Sequence, residues 1–284
     1  MVLETLFNPF KLKTKPYQMF FAGFIYSIAG MILSYFVFRE IAGILMVFLI
    51  VLAALPILYT TIKNEEELDL KSEKEWFMLK EHTKVLVFLM FFFFGITTAL
   101  ILAYVTLPTT LTSTVFNLQE QAILNVNNYV QGGFTGYFFK AEILGKIFLN
   151  NLKVMFFCLI FSLLYGTGAI FILTWNASVI AVAIGSAIRS ELGSAAAAVG
   201  WVSITSYFST TVFSFFRYMT HGIFEIAAYF IAGLAGGIIS IALIKHNLKN
   251  EKVFIDALDM ILISVGILLF ASLVEVYITP VLFH

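Results

Sequence analysis

The sequence predicts an all-α fold: a polytopic transmembrane helical bundle of about six to seven spans, with broken or re-entrant helices over residues 150–220. Three features predict it. The chain is 61% hydrophobic and 12% charged, where a soluble domain carries about 25% charged residues. Its mean hydropathy is +0.96. Continuous apolar runs of about 20 residues recur from end to end, which suits helices rather than the alternating strands of a barrel.

Residues 1–16 form a short basic lead with Pro9 and Pro16. The apolar run from Tyr17 to Phe38 is too long for the core of a signal peptide and reads as a retained span. Arg39 and Glu40 make a polar break before a second span from Ile41 to Ile62, in which Pro56 is a candidate kink. Residues 63–84 are a mixed-charge segment that reads as a solvated helical loop. A third span runs from Val85 to Leu107 and is ended by Pro108.

Residues 109–138, rich in Thr, Asn, Gln and Gly, form the longest segment expected not to span, too small for an independent enzyme domain. Phe138 to Asn151 reads as an interfacial helix, and Leu152 to Leu173 as a span opened by Asn150 and Asn151, good caps. Asn176 marks a break, Val179 to Ile188 is short, and Ala195 to Phe216 is rich in Ser and Thr. The chain closes with a hairpin: a helix from Thr220 to Ile244, a polar turn from Lys245 to Lys252, and a helix from Phe254 to Thr279 stopped by Pro280. Three regions result: 1–84, a helical hairpin with a charged loop; 85–151, a span, an external loop and an interfacial helix; and 152–284, the membrane core.

Lysines set the expected orientation. Eleven fall before the first span, in residues 63–84 and in the last turn. The positive-inside bias makes those segments and the N-terminus cytoplasmic, and the C-terminus external, in a multi-pass protein of the cell membrane. Formal net charge is zero, so no nucleic-acid footprint is present. The lone Cys158 has no intrachain disulfide partner and reads as a buried, inert thiol.

Candidate chemistry concentrates in the last hairpin. Arg217, His221 and Glu225 are spaced four apart and share one helical face. Glu225 and Glu275 both lie roughly 30 Å from the polar turn, so antiparallel helices bring them to one membrane level. Three readings fit: a clasp in which Arg217 or His221 neutralises a carboxylate, a proton or ion relay, and a metal or hydrolytic site. The last lacks a second histidine, and zinc hydrolases usually need three protein ligands. No catalytic, metal or cofactor site is therefore assigned.

Gly233, Gly236 and Gly237 give the small-residue spacing that lets helices approach, read as packing within the chain, although it also suits a homo-oligomer. Gly166 and Gly168 read similarly. Asn176-Ala177-Ser178 matches a glycosylation triplet but abuts apolar segments.

Asn150-Asn151-Leu152 before an apolar run, Gly166-Thr167-Gly168, Asn176, His221-Gly222-Ile223-Phe224-Glu225 and Glu275-Val276-Tyr277-Ile278-Thr279-Pro280, in that order, resemble the stage II sporulation protein M family over roughly residues 140–284. The resemblance implies a polytopic membrane protein with no known catalytic activity. In endospore formers the namesake works in an engulfment complex that anchors peptidoglycan-degrading partners. The expected role is a non-enzymatic scaffold embedded in the bilayer with protein partners; a proton- or ion-coupled transporter or channel is the alternative.

Overall fold

The computed structural model describes residues 16–69, 75–131, 137–165, 168–199, 203–244 and 251–283. The helices are α1 (Tyr17–Val37), α2 (Ala42–Asp69), α3 (Glu75–Thr106), α4 (Thr109–Val115), α5 (Asn117–Gln131), α6 (Tyr137–Tyr165), α7 (Ala169–Val199), α8 (Ile204–Ile244), α9 (Glu251–Leu273) and α10 (Thr279–Leu282). A 3-10 turn, Arg39–Ile41, joins α1 to α2, and a π turn, Val274–Ile278, joins α9 to α10. Among the described residues there is no strand. Among the same residues seven helices are long and apolar enough to cross a membrane.

Two helical groups meet on α7. In the first, α3 packs closely against α1, which packs on α2. Gly23 of α1 abuts the backbone of Phe92, and Gly95 of α3 abuts that of Phe20, so each glycine lets the facing backbone come close. Phe88, Phe93, Met19, Met46 and Ile50 fill the interior around this crossing. In the second group α8 packs on both α6 and α9. Ser162 and Gly233 meet eleven and eight residues after Asn151 and Glu225 meet, so α6 and α8 run in the same direction. Phe224 meets Phe270 edge to face, and Phe213 meets Phe283 in the same way, so the last helix runs opposite to α8. α7 contacts α3 on one side and α8 on the other.

Several buried hydroxyls are satisfied inside their own helices: Ser27 donates to Gly23 O, Thr97 to Phe93 O and Ser272 to Leu268 O. That is how polar residues persist where no water is available. The outward face of α9 is apolar, with Phe254, Leu258, Leu262 and Phe270 exposed.

Several sequence expectations need correction. The helices over 150–220 are neither broken nor re-entrant among the described residues: α7 runs through Asn176 and Arg189-Ser190-Glu191, and α8 runs through Arg217. The interfacial helix and the following span are one helix, α6, so the expected boundary at 151/152 falls inside it. Arg189 and Asn151 find partners on other helices and Arg217 lies exposed, so these side chains do not compete for the helix's own hydrogen bonds. Much of the expected external loop is helical, as α4 and α5. Pro280 does not stop the last helix; a wider π turn precedes it. Proline lacks an N–H and its ring crowds the carbonyl four residues earlier, which a π turn relieves. Gly166 and most of the Lys245–Lys252 turn lie outside the described residues.

Candidate functional site: a polar cluster between three helices

The site is assembled from α6, α8 and α9. On α8, His221, Glu225 and Tyr229 recur every four residues and line one face. On α6, Asn151, Met155, Cys158 and Ser162 follow i, i+4, i+7, i+11 and form the face turned to α8 and α9. On the last helix, Glu275 sits within the π turn and Thr279 one turn later.

Asn151 is 7% exposed and its side-chain amide donates to Glu225 Oε1. His221 Nε2 lies 3.9 Å from Glu275 Oε1, with side-chain exposures of 14% and 31%. This is longer than a hydrogen bond. Thr279 Oγ1 donates to Val274 O at 3.2 Å and lies 3.4 Å from His221 Nδ1. Glu225 and Glu275 interact electrostatically, and Tyr229, 4% exposed, feels both carboxylates and Cys158. Ser264 donates to Met155 Sδ at 3.2 Å, closing the three-helix contact below.

Three of the four residues expected to cluster are thus brought together: His221, Glu225 and Glu275. Arg217 is exposed on α8, outside the cluster. Among the described residues no Lys or Arg forms an ion pair with Glu225 or Glu275, so the arginine clasp is not formed. Among the same residues no group of three or more His, Cys, Asp or Glu is disposed to hold a metal ion.

The packing residues divide by depth. Gly233 faces Ala169, whose Cβ would lie 2.8 Å from a Cβ added there, and Ser162 donates to Gly233 O at 2.6 Å. Gly236 lies against Leu159, and Gly237 is buried. Gly168 sits against the Phe161 backbone at the α6–α7 turn. Gly222 is buried with only Met219 Cε near. Asn150 is exposed on α6, and Asn176 lies within α7 with its amide nitrogen buried and unpaired.

Sequence reading missed a second polar assembly. Arg189 of α7 donates to Val105 O and Leu107 O at the end of α3 and to Thr112 Oγ1, and its guanidinium stacks on Tyr104 at 5.1 Å. Tyr104 OH donates to Glu120 Oε1 at 2.8 Å. Gln119, fully buried, donates to Gly43 O and Ser178 Oγ, pinning α5 between α2 and α7. The one advance signal for Arg189 was an ionisable residue inside an apolar run. Asn151 was singled out but read as a cap; its periodicity with Met155, Cys158 and Ser162 was the readable sign of an inward face.

The profile described as "Stage II sporulation protein M" matches residues 84–280, more than half of the chain. The chain belongs to the stage II sporulation protein M family. The match begins at α3 and so includes the α4–α5 cap as well as the three-helix site, reaching further back than residue 140. An uncharacterized protein of the archaeon Methanocaldococcus jannaschii is 32% identical over 141 residues, which cover 48% of this chain and 70% of that protein. No solved structure matches the chain.

Proposed function

We propose that this protein is a non-enzymatic integral membrane scaffold that anchors partners during membrane or cell-envelope remodelling. The observation that carries the reading is membership of the stage II sporulation protein M family in a chain whose long helices form an apolar bundle. Two parts lie beyond the apolar runs and are the proposed partner surfaces. One is the charged helical ends of α2 and α3, where the backbone stays helical through Lys63–Asp69 and from Glu75. The other is the polar α4–α5 cap. By the lysine bias the first faces the cytoplasm and the second the exterior, with the N-terminus inside and the C-terminus outside. Affinity isolation of the intact protein from crosslinked native membranes tests this: specific envelope proteins should accompany it, and their retention should fall when the Lys63–Lys84 charges are neutralised. A saturable solute flux in liposomes, without partners, would overturn it.

A second reading is a proton- or ion-coupled transporter, favoured by His221, Glu225 and Glu275 meeting inside apolar helices. It requires water to reach Glu225. Failure of a small membrane-permeant carbodiimide to modify Glu225 in the folded protein would count against it.

A further inference from the structure

Helix α6 is the least enclosed of the seven candidate spans among the described residues, with 22% of its Lys140–Leu164 stretch buried. One of its faces turns to α8 and α9 through Asn151, Met155, Cys158 and Ser162. The opposite face carries Lys146, Asn150, Lys153, Phe157 and Leu164, at i, i+4, i+7, i+11 and i+18. At 3.6 residues per turn these five lie within about 60° of one another. Asn150 and Lys153 are exposed, and so are Phe157 and Leu164. In a helix that crosses the membrane, a face turned away from the bundle meets lipid.

Lys153 does not belong on such a face. It stands 13 residues, roughly 20 Å, after Lys140 and 11 residues, roughly 17 Å, before Leu164. An ammonium at that depth is costly, and charged residues in spans ordinarily turn inward. Lys153 is exposed instead, and among the described residues no carboxylate pairs with it. Side chains on a helix lean toward its N-terminus, so Lys153 leans toward Asn150 and Lys146, which stand one and two turns nearer the membrane surface. Lys146 pairs with Glu142 at 2.9 Å, which fixes a second cation at the head of the same stripe. Below Lys153 the stripe is apolar. Its roughly 17 Å from Lys153 to Leu164 matches one leaflet of a hydrocarbon core about 30 Å thick. The order is that of a phospholipid: charge near the surface, hydrocarbon beneath.

We propose that this face of α6 binds one anionic phospholipid from the leaflet at the N-terminal end of the helix. Its phosphodiester sits on the Lys153 ammonium and the Asn150 amide, with Lys146 at the rim, and an acyl chain lies along Phe157 and Leu164. The lysine bias makes this the outer leaflet. The lysines repel a choline group, so a headgroup of net negative charge is preferred. Complementary charge offsets the cost of holding Lys153 in lipid. A partner helix bearing an acid would match Lys153 alone; a lipid also accounts for Lys146, Asn150 and the apolar run below. The inference does not depend on the scaffold reading.

The test uses the full-length protein, delipidated in a neutral detergent. Phosphatidylglycerol and phosphatidylcholine with the same acyl chains are added in turn, and retention is read by native mass spectrometry and by Tm. The expected result is a one-to-one adduct and a saturable rise in Tm with phosphatidylglycerol. Lys153→Gln should raise the half-saturating concentration on the order of fivefold, and Lys153→Arg should restore it. Should Lys153→Gln not fold, Lys146→Gln gives the same comparison. Arg39→Gln, which removes an exposed cation stacked on Tyr35 in the other helical group, should bind as the wild type does. Equal retention of the two lipids, wild-type retention in both lysine variants, or the same rise in Tm with inorganic phosphate alone would overturn the proposal. So would the absence of any adduct, which would leave Lys153 to an acidic partner helix.

Discussion

Asn151 of α6 and Glu225 of α8, separated by 74 residues in sequence, are joined by a side-chain hydrogen bond in the interior of the bundle. This one contact converts a residue suited to capping a helix into an element of tertiary structure, and it sets how α6 is rotated against α8.

Removing the amide should expose that dependence. Asn151→Ala leaves the Glu225 carboxylate without its donor and should destabilise the protein by about 1–3 kcal/mol. In a double-mutant cycle with Glu225→Gln the effects should be non-additive, because they act on one bond. Thermal or denaturant unfolding in detergent measures this; additive losses would show that the contact contributes nothing.

Glycines on α8 should respond according to what stands opposite them. A Cβ at Gly236 would lie 2.7 Å from Leu159 O, a backbone atom that cannot turn aside. Gly236→Ala should therefore cost on the order of 1–3 kcal/mol. At Gly222 the nearest atom, Met219 Cε, would be 3.8 Å away, an ordinary contact. Gly222→Ala should be neutral or stabilising by up to about 1 kcal/mol through helix propensity. Equal effects on Tm would contradict this.

The two arginines of α7 and α8 should behave differently. Arg189 satisfies carbonyls at the end of α3 and holds the α4–α5 cap, so Arg189→Ala should cost about 1.5–3 kcal/mol. Hydrogen exchange should accelerate over residues 109–131, and Arg189→Lys should restore only part of the protection, lacking the guanidinium fork. Protection unchanged by Arg189→Ala would show that the cap is held by other contacts.

Arg217 is exposed and belongs to no described ion pair, so Arg217→Ala should change stability by less than about 0.5 kcal/mol. A loss comparable to that of Arg189→Ala would mean that Arg217 reaches the carboxylates after all.

Composition and run length determined that this chain is a helical membrane protein, because the cost of unpaired backbone groups in lipid depends on little else. Spacing also placed His221, Glu225 and Glu275 at one level, since a constant rise per residue turns residue counts into depth. Rotation and pairing were decided only by tertiary structure. Arg217 shares the four-residue spacing of His221 and Glu225, yet it is exposed, because a row inclined to the helix axis leaves a packed interface after two turns. Asn151 and Arg189 sit inside continuous helices because a side chain and backbone carbonyls of other parts of the chain receive their hydrogen bonds, and no local pattern encodes a partner 74 or 82 residues away. Sequence sets which side chains must be satisfied; which group satisfies each is settled when the helices pack.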